Sequence, residues 1–585
     1  MAQRLQTATT LLKSGRPKKA YQEARAAMRE TPRSPDPHNV AGMALSAMGR
    51  HSEAAKSFFK ATQIAPNFDN ARRNLAQALI LDGKTDKARQ VLTGFLKKNP
   101  LDETGWYLLG QCEMVAGNLS AAEDATTQAI DAAPAVSRNK TQRAAIREKR
   151  GNLDGAIADY EAALQANPQS VETLVNMSLP LARQLRSEEA LDVVNRAVEL
   201  APDHVGARLR LAMHLLEAGQ SDDAAQAFRD VLRLDSSNAI AMEQLSQLQS
   251  PEHNKVLKSQ VLRAIKKAPR RSEERASLFF ALAHIARTEK DRTAEIDALN
   301  NANGDMRATM PYDQSADATR TDRILKRFPS GVESKETRPS GPRPIYVLGL
   351  PRSGTTLTEA ILGAHPNVRP LGERAATAVL LHDTIEMDLS FDEQARSAFR
   401  EKDKEMLPQL AAEHLAYVDK MPENYRFIGF LKTAYPECKI INMVRDPKDI
   451  ALSMWRGHFA GTALNYTYDL RAMSSRFNIY AHMMRHWHRV FDGQILDIRY
   501  EDLVGDLPHW SKRIAEFCEL DWVEDMAAPH KTSEQVLTLS ANQIRQPVHS
   551  RSIGKSRQYD DALAQFHEGL DPTLWSEAGL PPDAA

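Results

Sequence analysis

Small and apolar residues recur along the first 238 positions at one fixed spacing. Prolines stand at Pro32, Pro66, Pro100, Pro134, Pro168 and Pro202, each 34 residues after the last. Glycine keeps the interval at Gly15, Gly49, Gly83, Gly117, Gly151 and Gly219, with Leu185 the one lapse. Alanine keeps it without a lapse at Ala20, Ala54, Ala88, Ala122, Ala156, Ala190 and Ala224. The spacing predicts a repeating helical hairpin. Glycine falls where the first helix turns, alanine where two helices approach closely, and proline where the second helix stops. Past Ser236 the interval decays, but LFFALAHIARTEKDRTAEIDALNNAN at 278–303 still reads as a hairpin capping the stack. Between Asp305 and Pro342 a polar stretch rich in Ser, Thr, Pro and Gly predicts a linker. Beyond it, short β-branched runs at 344–350, 438–444 and 494–500 alternate with helical patterns. Strands separated by helices imply parallel pairing with helices on the faces of the sheet.

The fourth repeat adds Trp106, Leu109 and Gly110, the W-x₂-L-G opening of the tetratricopeptide pattern. On these residues the first 238 positions resemble seven tetratricopeptide (TPR) repeats. The expected organisation is an all-α TPR solenoid over 1–304, with degenerate capping repeats at 239–304. A linker over 305–342 and an α/β domain over 343–585 follow. Stacked hairpins of this kind offer a concave groove for a protein or peptide partner. A rigid spacer, or a dimerisation arm that would make a homodimer, is the alternative use.

Candidate chemistry lies in the second half. YVLGLPRSGTTLTEAILGAHP begins as a strand, turns between Gly349 and Gly354, and continues as a helix with Leu357, Ile361 and Leu362 on one face. Strand, tight loop and helix point backbone N–H groups and a positive helix end at an anion. Gly349-x₄-Gly354-Thr355-Thr356 matches the phosphate-loop spacing except that Thr355 stands where the nucleotide-binding lysine belongs. A magnesium–nucleoside triphosphate carries about four negative charges and would miss that lysine, which argues against a kinase or NTPase. The cation here is Arg352, inside the loop. IINMVRDPKDIALSMWRGHF at 440–459 then predicts a strand ending at Arg445, an Asp446-Pro447 helix start, and a helix carrying Ser453. An arginine at a strand end and a serine two turns into the next helix can converge on one ligand at the top of a sheet.

The run PRSGTT at a strand end resembles the 5′-phosphosulfate loop of sulfotransferases, and 344–560 as a whole is similar to the tyrosylprotein sulfotransferase-like family. The resemblance implies a P-loop-like fold with a parallel sheet and a donor, 3′-phosphoadenosine 5′-phosphosulfate (PAPS), bound without a metal. It implies that Ser353, Gly354, Thr355 and Thr356, with Arg352, hold the 5′-phosphosulfate, and that Arg445 and Ser453 hold the 3′-phosphate. Glu373 matches the catalytic base of the family, Lys420 the lysine that neutralises the leaving oxygen together with Arg352, and Tyr500 a tyrosine at the nucleotide. Ser540 and Lys555 match a distal serine and lysine. One departure stands out: the family has a further arginine twelve residues beyond the motif arginine, where this chain has Gly457, with Arg456 one place short.

Other clusters add less. His482, His486 and His488 read as part of one helix around Met483, Trp487 and Val490 rather than as metal ligands, and His365 is a weaker base candidate than Glu373. Lys plus Arg and Asp plus Glu are both 76, so the formal charge is zero, and bulk attraction to nucleic acid or anionic membrane is not expected. Segment 343–585 has 27 basic against 34 acidic residues, so the basic groove suited to acidic tyrosine sites does not follow from the sequence. Three widely spaced cysteines exclude a disulfide scaffold, and no apolar run is long enough for a signal peptide or membrane span. The expectation is a cytoplasmic PAPS-dependent sulfotransferase acting on a hydroxyl, such as that of protein tyrosine, with the repeats recruiting substrate or partner. A carbohydrate, lipid or small-metabolite acceptor, or a TPR scaffold with a non-catalytic nucleotide-binding domain, are the alternatives.

Overall fold

The computed structural model describes residues 2–184, 186–330, 341–459, 461, 463–531 and 548–577. The chain divides into two compact units, Met1–Pro180 and Leu181–Ala585.

In the first unit helices alternate with short turns at the interval read from the sequence. Ala2–Lys13 and Pro17–Glu30 form the first hairpin, Pro35–Ala47 and His51–Ile64 the second, and the order runs on through Ser137–Lys149 and Leu153–Ala166. The turn glycines adopt left-handed backbone, from +69° at Gly15 to +82° at Gly117, which an L side chain resists. Ala20, Ala54, Ala88, Ala122 and Ala156 are completely buried, because a larger side chain would push the paired helices apart.

In the second unit the helical hairpins continue through Ser221–Leu234 and on to Ala239–Leu248 and Pro251–Lys267. The last pair, Glu273–Thr288 and Arg292–Thr309, is the capping hairpin expected at 278–303. The stretch read as a linker differs from expectation. Residues Gln314–Arg327 form a helix that buries Thr321, Ile324 and Leu325, followed by buried Phe328. That is an i, i+3, i+4, i+7 stripe hidden among charged residues. Phe280 and Leu299 of the capping hairpin, Phe328, and Tyr346 and Leu348 of the first strand all belong to one hydrophobic core. Within 305–342, therefore, the helix is an integral part of the domain.

The sheet has five parallel strands: β1 (Arg343–Gly349), β2 (Val368–Pro370), β3 (Ala416–Asp419), β4 (Lys439–Val444) and β5 (Ile495–Arg499), in the order β2-β3-β1-β4-β5. Three of them are the expected runs; β2 and β3 are additional. Both faces of β1 are covered: Ile345 and Val347 pack with Ile361, Val418 and Ile441, while Tyr346 and Leu348 enter the core shared with the capping hairpin. Burial on both sides is why β1 and β4 read as continuous apolar runs rather than alternating ones.

Candidate active site

Every strand of the sheet delivers a site residue at its carboxyl end. The phosphate loop follows β1, Glu373 follows β2, Lys420 follows β3, Arg445 follows β4 and Tyr500 follows β5. Parallel strands place all five ends on one edge, where open α/β sheets bind their ligands.

The phosphate loop is shaped by close backbone approach. In the sheet register Gly349 lies opposite Met443, and a Cβ on Gly349 would meet the Met443 carbonyl oxygen at 2.4 Å. Gly354, at φ +109°, caps the helix Thr355–Gly363, and a Cβ there would meet the Tyr500 ring at 2.6 Å. Arg352 itself is left-handed at φ +72°, a strained conformation for a residue with a side chain. Ser353 is fully buried, and its Oγ has no hydrogen-bond partner among the described residues. Thr355, where a lysine would bind a triphosphate, is also buried.

Arg445 and Ser453 come together as their spacing predicts. Asp446 caps the helix Pro447–Trp455 by accepting from the N–H groups of Lys448 and Asp449, which fixes Ser453 two turns further on. Ser453 Oγ accepts from Arg352 Nε at 3.0 Å, and Arg445 donates to the Arg352 carbonyl at 3.1 Å and the Ser552 carbonyl at 3.0 Å. The Arg445 guanidinium lies 4.5 Å from the centre of the Tyr500 ring, and its Nε has no partner among the described residues. Tyr500 Oη and Ser552 Oγ are 3.2 Å apart.

Glu373 and Lys420 also meet. The loops after β2 and β3 are joined by Leu371 N–H to Val418 O at 2.9 Å and Lys420 N–H to Gly372 O at 3.0 Å. This brings Lys420 Nζ to 2.8 Å from Glu373 Oε1. Lys420 is completely buried, whereas the Glu373 side chain is 44% exposed, so the carboxylate faces the open side of the pair. Glu359, which the sequence did not single out, holds this arrangement: its Oε1 accepts from Gly372 N–H at 2.8 Å and its Oε2 lies 3.9 Å from Lys420. It sits one turn into the phosphate-loop helix, on the face that a sequence pattern assigns to packing.

Arg352 is acted on by charges from both groups. Burial, followed by the like charge of Arg445, pushes its pKa down to about 10, while Tyr500 and Glu373 act in the opposite direction. Glu373 is therefore within electrostatic reach of Arg352 even though Lys420 is its hydrogen-bond partner.

On the Arg445 side the loop opens into a cavity of about 440 Å³, lined by Arg352, Arg445, Ser453, Arg456 and Lys555 together with helices of the capping hairpin. Lys555 is brought there by Asp449, whose carboxylate accepts from Gly554 N–H at 2.6 Å and Ser556 N–H at 2.9 Å. Ser540, the other distal residue expected at the site, lies outside the described residues. The histidines of the helix Leu470–Val490 point to separate partners: His486 to the Phe328 carbonyl at 2.8 Å and His488 to Asp497 at 3.0 Å. His365 accepts from the Asn367 N–H at 3.1 Å within its own turn.

Residues 344–524 match the model of the sulfotransferase family, and residues 45–112 and 175–239 match models of the tetratricopeptide repeat. The chain is thus a TPR protein that carries a sulfotransferase-family domain. It is 27% identical over 549 residues to an uncharacterized protein of Aquifex aeolicus, covering 90% of this chain and 68% of that one. A putative protein-tyrosine sulfotransferase of Caenorhabditis briggsae is 27% identical over 229 residues, covering 36% of this chain and 79% of its own length. Protein-tyrosine sulfotransferase A of Caenorhabditis elegans is 24% identical, covering 36% and 60%. Among solved structures, a thermophilic TPR protein of Thermus thermophilus is 23% identical, covering 31% of this chain and 100% of that one with a TM-score of 0.28.

Proposed function

We propose that the second unit transfers a sulfuryl group from PAPS to an acceptor hydroxyl, and that the TPR repeats recruit the acceptor or a protein partner. The observation that carries this reading is Arg352, inside a lysine-free phosphate loop, hydrogen-bonded to Ser453 and Arg445 and acted on by the charge of Glu373. The residues suit such a donor: buried Ser353 Oγ and Arg445 Nε lack partners among the described residues, and Gly349 and Gly354 keep side chains out of the loop.

When bound, PAPS supplies an activated sulfuryl group with adenosine 3′,5′-bisphosphate as the leaving fragment. Arg352, Ser353, Gly354, Thr355 and Thr356 hold its 5′-phosphosulfate, with the helix N-terminus adding positive potential. Arg445, Ser453 and Lys555 hold the 3′-phosphate, and the Tyr500 ring supports the Arg445 guanidinium at 4.5 Å. Glu373 takes the acceptor proton at its carboxylate as the acceptor oxygen bonds to sulfur. Arg352 and Lys420 neutralise the charge that grows on the departing bridge oxygen, a preorganised electrostatic contribution.

Protein tyrosine is the acceptor we propose, because relatives that cover this domain are named protein-tyrosine sulfotransferases. Among the described residues no helix is long and apolar enough to cross a membrane. Cys112, Cys438 and Cys518 are free and buried, in keeping with a reducing, cytoplasmic setting.

The test is a labelled-donor assay against tyrosine peptides, glycans and small hydroxyl metabolites. Label in a tyrosine peptide supports the reading, whereas label only in a glycan or metabolite replaces the acceptor. Arg445→Ala should raise the donor Kd roughly 10- to 100-fold. An unchanged Kd would remove Arg445 from the donor site.

A further inference from the structure

An arginine at Gly457 would have to displace the Phe459 ring. A Cβ on Gly457 would lie 2.7 Å from the Phe459 ring, so the space a side chain would leave through is already filled. Arg456, one place earlier, is committed elsewhere: its Nε donates to Glu295 Oε1 at 2.8 Å, and its guanidinium lies 4.4 Å from the Tyr559 ring centre.

A different cation reaches the same cavity from the capping hairpin. Arg287, on the helix Glu273–Thr288, lines the cavity alongside Arg445, Ser453 and Lys555. Its hydrogen-bond partner is His284 Nδ1 at 2.6 Å. Burial, then the charge of Arg287, drives the His284 pKa down to about 4, so a neutral imidazole orients the guanidinium without cancelling its charge. Among the described residues no carboxylate pairs with Arg287 or with Lys555. The cavity carboxylates are engaged: Glu243 with His458, Glu295 with Arg456 and Tyr559, and Asp449 with backbone N–H groups. Burial and the neighbouring arginines lower the pKa values of both Arg287 and Lys555. Glu295 acts on Arg287 and Asp449 on Lys555 in the opposite direction without outweighing this, so the cavity keeps an excess of positive charge. The capping hairpin is fixed for the purpose, since Phe280 and Leu299 share the core of the catalytic domain and Asn303 donates to the Trp455 carbonyl at 3.0 Å.

We propose that Arg287 binds the 3′-phosphate of the donor nucleotide, so that the last hairpin of the repeat half forms one wall of the nucleotide site. This rests on the PAPS reading above.

The experiment is calorimetry on the full chain with two probes, adenosine 3′,5′-bisphosphate and adenosine 5′-phosphosulfate, which lacks the 3′-phosphate. Arg287→Gln should raise the bisphosphate Kd roughly 10- to 100-fold and leave the phosphosulfate Kd within about twofold, and Arg287→Lys should recover part of the loss. Unchanged bisphosphate binding by Arg287→Gln, with the unaltered chain binding normally, overturns this inference and leaves the donor reading intact. An equal loss of both probes also overturns it, because the effect would then not belong to the 3′-phosphate. Failure of the unaltered chain to bind bisphosphate at all overturns the donor reading and this inference together.

Discussion

Arg352 concentrates the tension of the site in one residue. Its left-handed backbone at φ +72° costs energy that glycine would not incur, and its guanidinium is held beside that of Arg445. Arg352→Gly should therefore keep or raise thermal stability, by about 1 kcal/mol at most, while lowering kcat roughly 10²- to 10³-fold. Thermal denaturation and single-turnover kinetics on the same variant check both halves; a variant that loses stability would show that the backbone is not strained. Glu373→Ala should leave bisphosphate affinity near that of the parent and lower turnover roughly 10²- to 10⁴-fold. Normal turnover would remove Glu373 as the base. Arg352, Arg445 and Ser453 were legible in the sequence because a loop of fixed length and a helix of fixed pitch determine where they fall. Glu359 was not, because it reaches the Gly372 N–H from another element, and the His284–Arg287 pair was not, because no local pattern connects its helix to the cavity it lines.

The helix Gln314–Arg327 shows the limits of composition as a guide to elements. The Ser, Thr, Pro and Gly content of 305–342 reads as a linker, yet the charged residues of this helix anchor it. Asp317 pairs with Arg426 at 2.7 Å and with Arg476, and accepts from the Tyr312 hydroxyl. Burial alone would raise its pKa, but Arg476 and Arg426 outweigh that and hold it at about 2. The folded-state pKa is thus below the unfolded value near 3.9, so the stabilisation is complete above pH 4 or so and is lost as pH falls toward 2. Asp317→Asn should destabilise the fold by about 3 kcal/mol at neutral pH, read as a lower urea midpoint. The gap to the parent should narrow below pH 4; a constant gap down to pH 2 would contradict the ionic account. Strands β2 and β3 escaped notice for a different reason. At three and four residues they are too short to show a period, and the pairing of β3 with β1 and of β2 with β3 is what makes them strands.

At the scale of the molecule, the 34-residue interval made the repeats readable because each hairpin solves the same packing problem with the same small residues. It gave no sign that the capping hairpin shares a core with the catalytic domain, since that contact lies where the interval has decayed. A chain beginning at residue 311 lacks Phe280, Leu299 and Met306 from that core and should lose cooperative thermal unfolding, whereas residues 181–585 should keep it. Calorimetric scans of the two fragments decide this, and a fully cooperative shorter fragment would refute the shared core. The overall charge balance conceals a local imbalance of the same kind: a chain with 76 charges of each sign gathers Arg287, Arg352, Arg445, Arg456 and Lys555 around one cavity.

That cavity and the loop beside it carry the central claim, and titration calorimetry tests it most directly. The full chain should bind adenosine 3′,5′-bisphosphate without a divalent cation and bind ATP with magnesium at least about tenfold more weakly, because Thr355 stands where the triphosphate lysine belongs and the proposed role of the cavity cations is to hold a 3′-phosphate. Tight binding of ATP with magnesium and none of the bisphosphate would contradict the account.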